Sequence, residues 1–217
     1  MKNVEIYLVE FIQFDSYNGI HNKIMVEPVV CAEGIGMAYL LGLCSFALFF
    51  LSDYNDWRLG RIPFKVCFPA GGVMLVTGTV WEICRGEPFV SGWLRGCFFA
   101  LAAVWFLLLI YTLFFALPVK ASYASPGEKR RVCTTGVYAL CRHPGVLWFI
   151  GLYVCLWAAA GIPLELTLLL SALNIGLVWF EDRCVFPEVL EGYRDYQRKT
   201  PFLLPTVQSI CDCIRTL

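Results

Sequence analysis

The sequence predicts an all-α integral membrane protein of about five transmembrane helices, with a tight hairpin between the fourth and fifth and a cytoplasmic, helical C-terminal segment. Three observations predict it. Of the 217 residues, 59% are hydrophobic and 16% aromatic. Only 16% are charged, against roughly 25% in an ordinary soluble domain. The apolar residues are gathered into runs of membrane-spanning length, and a helix needs about 20 of them to cross the hydrocarbon.

The elements follow in chain order. Residues 1–31 are apolar-rich, but Glu5 and Glu10 interrupt them, so they lack the unbroken core of a signal peptide. They read as an interfacial N-terminal segment, with His21 on its surface. Residues 32–117 hold the first three spans. The first runs from about Ala32 to Leu51, and the second from about Phe64 to Cys84 with Pro69, Gly71 and Gly72 in its first turns. The third, Trp93 to Leu117, is long enough to tilt. Residues 118–217 hold the fourth span, Pro144 to Ala160, and the fifth, Pro163 to Phe180. Only Gly161 and Ile162 separate these two, which forces a helical hairpin.

Basic residues orient the chain. Thirteen of the 17 lysines and arginines fall between the first and second spans, between the third and fourth, or after the fifth. The opposite side keeps Lys2, Lys23, Arg85 and Arg95. The rule therefore predicts an outward N-terminus and a cytoplasmic C-terminus.

Zero net charge and the lack of a long basic block give no reason to invoke nucleic acid. The eleven cysteines sit singly, mostly in apolar runs, where a thiol acts as a small hydrophobe. The one close pair, Cys211 and Cys213, has no histidine near it, so no metal site is expected. There is no internal repeat of the kind found in transporters.

Two polar clusters fall on the predicted cytoplasmic side. GVYALCRHP, from Gly136 to Pro144, leads into the fourth span; EDRCVFPEVLEGYRDYQRKTPFLLP, from Glu181 to Pro205, follows the fifth. The hairpin makes these stretches neighbours. Pro144 suits the first position of a helix, and the helix start carries partial positive charge. With Arg142 and His143 beside it, this is an anion site, or else Arg142 is a positive-inside anchor and His143 an interfacial side chain. Glu181 and Asp182 accept hydrogen bonds from an ammonium or hydroxyls, pair with Arg142, or form a solvated interfacial pair. Tyr193 and Tyr196, with Phe186 and Val189, read as aromatic anchors on an amphipathic surface helix. Lys129, Arg130 and Arg131 read as a headgroup contact. Glu82 is expected near the outer end of the second span, within reach of headgroups. Asn174, midway along the fifth, is expected to make an interhelical hydrogen bond.

The combination resembles the isoprenylcysteine carboxyl methyltransferase and phospholipid methyltransferase superfamily of integral membrane enzymes. Gly136, Tyr138, Arg142, His143 and Pro144 match its first motif. Glu181, Asp182, Tyr193, Tyr196, Thr200 and Pro201 match its tail in register. The match covers roughly residues 130 to 205. The chain departs from the pattern at Val146 and Trp148, which stand for a tyrosine and a glycine, and at Val189 and Leu190, which stand for Phe-Gly.

The resemblance implies S-adenosylmethionine as cofactor, with Tyr138, Leu140, Arg142, His143, Pro144, Glu181, Asp182 and Tyr193 around it. It implies Arg142 and Glu181 as the catalytic pair, a lipophilic acceptor entering sideways from the membrane, and no metal. The methionyl carboxylate would suit Arg142, His143 and the helix start. Two other readings stand beside it. One is an NADPH-dependent membrane reductase of the sterol reductase type, with Lys129 to Arg131 near the phosphates. The other is a membrane binding protein without catalysis.

Overall fold

The computed structural model describes residues 31–116 and 130–216. The expected N-terminal interfacial segment, His21, Lys120 and Lys129 lie outside the described residues.

Helix α1 (Cys31–Tyr54) continues into a π-helical turn, Asn55–Leu59. A 3₁₀ turn, Ile62–Val66, leads into α2 (Cys67–Arg85). Helix α3 (Gly92–Ile110) also ends in a π-helical turn, Tyr111–Phe115. After the two-residue strand β1 (Arg130–Arg131) come the short α4 (Val137–Leu140) and the hairpin of α5 (Pro144–Ala160) and α6 (Leu164–Phe180). A third π-helical turn, Glu181–Val185, carries α6 into α7 (Phe186–Val189). Strand β2 (Leu190–Glu191), α8 (Tyr193–Lys199) and α9 (Val207–Thr216) follow.

The fold is thus mostly helical. Four helical stretches are long and apolar enough to cross a membrane: Gly36–Leu59, Ile62–Arg85, Gly92–Phe115 and Leu164–Val189. Pro144–Ala160 is apolar but shorter. The expected fifth span stops at Phe180, where α6 itself ends, and the helical path continues through the π-helical turn and α7 to Val189.

Small residues set the packing. Helix α2 lies along α1, buried through Cys67, Gly71, Gly78 and Glu82, whose spacing puts them on one helical face. A Cβ at Gly71 would meet the Ser45 carbonyl oxygen at 2.9 Å, and Ser45 Oγ donates to Gly71 O at 2.7 Å. This face corrects the expectation for Glu82: it is 6% exposed, on the stripe turned toward α1. Helix α3 lies along α5, where a Cβ at Gly151 would meet the Trp105 ring at 2.8 Å.

At the hairpin, Gly161 adopts φ 75°, a left-handed conformation suited to glycine at a helix C-terminus. A Cβ there would run into the Glu87 carbonyl. Val90 N–H and Arg95 Nε donate to the Ala158 and Ala159 carbonyls, each at 3.0 Å, closing this end. The chain direction places the C-terminal ends of α1, α3 and α6 and the start of α5 together at the other end.

Candidate functional site

Between the helix pairs lies a cavity of about 530 Å³. Helices α2 and α3 follow each other in sequence but barely touch, because each packs on a different partner. Apolar side chains of both, such as Val76 and Ile83 of α2 and Phe106 and Leu109 of α3, line the cavity. Tyr138, Arg142, His143 and Glu181 line its polar part. An apolar chamber with a few convergent polar groups is the usual form of a small-molecule site.

Asp182 organises the polar end. It is 3% exposed, and Arg142 grips it with Nε to Oδ1 at 2.8 Å and Nη2 to Oδ2 at 3.0 Å. Tyr193 Oη donates to Oδ1 at 2.7 Å and Gln197 Nε2 to Oδ2 at 3.2 Å. His143 Nε2 lies 3.4 Å from Oδ1. The anion beside the basic pair at the start of α5 is therefore the chain's own carboxylate.

Arg142 is correspondingly committed. Its Nη1 donates to the carbonyls of Gln197 at 2.9 Å and Thr200 at 2.7 Å, so most of the guanidinium donors are spent within the protein. Its backbone N–H donates to Pro201 O at 2.9 Å. The Thr-Pro stretch of the tail thereby closes over the loop that precedes α5.

His143 is the N-cap of α5 and Pro144 its first residue, as the sequence predicts. One helix-start donor is already used, since Val146 N–H bonds to His143 O at 3.1 Å. The imidazole stacks on Phe186 at 5.8 Å between centroids and meets the edge of Phe202 at 5.3 Å. Burial pulls its pKa below the usual value, with Asp182 pulling the other way.

The aromatic-anchor expectation for Tyr193 and Tyr196 is overturned. They are 3% and 4% exposed, on a seven-residue helix set off from α7 by Gly192 at φ 79°. Tyr193 holds Asp182, and Tyr196 Oη donates to Tyr138 O at 2.6 Å. Burial raises both phenol pKa values, with the Asp182 carboxylate raising that of Tyr193 further. Burial also pushes Tyr138 up to about 12; its hydroxyl donates to Thr112 O at 3.0 Å. Leu140, the last residue of α4, is half-buried and is not among the residues lining the cavity.

Arg130 and Arg131 supply backbone to a short strand pairing parallel with Leu190 and Glu191. Val146, one of the departures from the motif that the sequence resembles, is 3% exposed and lines the cavity. Trp148, the other departure there, donates to Thr112 Oγ1 at 3.0 Å and stacks on Trp105.

Three residues enter that sequence reasoning missed or set aside. Asn174 makes no side-chain hydrogen bond among the described residues and lines the cavity instead, which corrects the expected interhelical bond. Its helix borders the cavity at that point. Asp53, in the last turn of α1, has an enclosed carboxylate oxygen, Oδ2, with no hydrogen-bond partner among the described residues. Asn55, 1% exposed, has an amide nitrogen without a partner among the described residues. Nothing in their local sequence marks the last two; only the three helix ends with π-helical turns, a feature common at functional sites, bring them here.

Compared with protein-family models, curated proteins and solved structures, the chain matches none.

Proposed function

We propose that the chain is a five-span membrane methyltransferase that moves a methyl group from S-adenosylmethionine to a lipophilic acceptor. Its N-terminus lies outside, and its C-terminus and active site are cytoplasmic. The observation that carries this reading is the cavity: apolar along the α2–α3 side, and closed by Glu181, His143, Arg142 and Tyr138 at one end. A lipophile reaches that chamber from the bilayer through the seam where α2 and α3 barely touch, while a polar group meets it from the loops. The basic residues support the orientation, since Arg58, Arg61, Arg142, Arg183 and Lys199 lie at or beyond the helix ends that meet there.

The residues present fit such a cofactor in part: Arg142, expected to hold its carboxylate, is taken by Asp182, and Glu181 is left for its other polar groups. Glu181, with an 18% exposed side chain, accepts from an ammonium or from ribose hydroxyls. When bound, S-adenosylmethionine supplies an electrophilic methyl group on a sulfonium. The chain's contribution is alignment and exclusion of water, with Glu181 placed to take a proton from an acceptor that must lose one. Arg142 acts as a positioning residue through Asp182. NADPH is disfavoured, because its phosphates call for free basic groups. Among the described residues the one guanidinium lining the cavity is already committed to Asp182.

Calorimetric titration of the detergent-purified protein with S-adenosylmethionine, S-adenosylhomocysteine and NADPH tests the reading. Saturable binding of the first two is expected. Binding of NADPH alone would establish the reductase, and binding of none a non-catalytic protein.

A further inference from the structure

Helix α9 carries its polar face inward and its apolar face outward. Ser209, Asp212, Cys213 and Thr216 recur at the spacing of one helical face, and Val207, Ile210, Cys211 and Ile214 at that of the opposite one. The first set is turned to the protein. Ser209 and Cys213 are buried, and Ser209, Asp212 and Thr216 line a second cavity of about 380 Å³ with Asp195, Tyr196 and Lys199 of α8. The buried hydroxyl is satisfied locally: Thr206 N–H donates to Ser209 Oγ at 2.8 Å, and Ser209 N–H to Thr206 Oγ1 at 3.2 Å. The second set faces away. Val207 is 81% and Ile214 69% exposed, and Leu204 just ahead of the helix is 79% exposed. A surface helix in water has the reverse arrangement, so these apolar side chains call for an apolar medium outside. With ten residues the helix is about 15 Å long, too short to span the hydrocarbon.

The position of α9 says which medium that is. The helix lies against α4, where Gly136 N–H donates to Thr216 Oγ1 at 2.9 Å. Two residues on, Tyr138 Oη donates at 3.0 Å to the carbonyl of Thr112, in the last turn of the membrane-length stretch Gly92–Phe115. Helix α9 thus stands two hydrogen-bonded steps from the end of a span, level with the exposed rings of Phe114 and Phe115. We propose that α9 lies in the plane of the bilayer the chain itself crosses, with Val207, Ile210, Cys211 and Ile214 sunk at the boundary of headgroups and acyl chains. The occupant of this face is lipid, because the face continues the apolar surface of the span beside it. Through Gly136 and Tyr138 the helix fixes α4, a wall of the main cavity, at the depth of that boundary. The inference needs the spans to cross a membrane and is independent of any methyl transfer.

Photo-crosslinking in phosphatidylcholine vesicles tests it on the full chain. The residue p-benzoylphenylalanine is placed singly at Val207, Ile214 or Gln208, the last on the polar flank of the helix. Illumination is expected to add the mass of one phospholipid at Val207 and Ile214, and several-fold less at Gln208. Ile214→Trp serves if those variants do not fold: brominated acyl chains are expected to quench its emission beyond that of wild type. Crosslinks at Val207 and Ile214 to a second copy of the chain would make this face a dimer contact and overturn the proposal. Crosslinks to another segment of the same chain, equal labelling at Gln208, or no adduct and no added quenching would overturn it as well.

Discussion

Arg142 and Asp182, forty positions apart, meet in a two-point grip of 2.8 and 3.0 Å. The contact joins the loop before α5 to the turn after α6. Both side chains are nearly enclosed, at 11% and 5% exposure.

Removing one partner leaves the other charged and buried, which costs about 3–5 kcal/mol. Arg142→Ala and Asp182→Ala are therefore expected to lower the melting temperature sharply in a detergent thermal-shift assay. Arg142→Lys keeps the charge but not the fork and is expected to fall between them and wild type. A wild-type melting temperature for Arg142→Ala would restore the simple anchor reading.

Tyr193→Phe removes one donor from Asp182 and is expected to cost about 1–3 kcal/mol. A membrane-surface anchor would tolerate phenylalanine without loss. Chemical denaturation of the two proteins in the same detergent decides between these outcomes.

His143 gives a pH dependence with a definite sign. Burial lowers its pKa in the folded protein, so below its ordinary value of about 6.5 the unfolded chain binds more protons than the folded one. Stability then rises with pH through that window and falls as the solution is acidified. Melting temperatures taken downward from pH 7 are expected to show this slope, and His143→Gln to flatten it. An unchanged slope in the variant would assign the dependence to another group.

Asn174→Leu removes an amide that has no hydrogen bond to lose among the described residues. Its melting temperature is expected to equal or exceed that of wild type. A fall of several degrees would mean that the amide is satisfied in the folded protein after all.

The helices were legible because apolar run length is a strong signal; α5 begins and ends at the predicted Pro144 and Ala160. The convergence of the Arg142 loop with Glu181 and Asp182 was legible as well, because two residues between helices leave a hairpin no freedom, but the pairing of Arg142 with Asp182 was one reading among three. The identity of the anion was not. A basic pair at a helix start calls for a negative charge, but spacing does not say whether the chain supplies it. The tyrosines were misplaced because Gly192 breaks what reads as one amphipathic helix and turns α8 inward. The burial of Asn55 was invisible, since it depends on which helix ends converge, and no local pattern encodes that.

The most direct measurement is methyl transfer itself. Membranes containing the wild-type chain are incubated with methyl-labelled S-adenosylmethionine, and the label is followed into the organic extract. The account predicts a labelled lipophile with wild type and its loss with Glu181→Gln, a variant that keeps Asp182 and its partners. No labelled lipophile from wild-type membranes, with NADPH consumed instead, would contradict it.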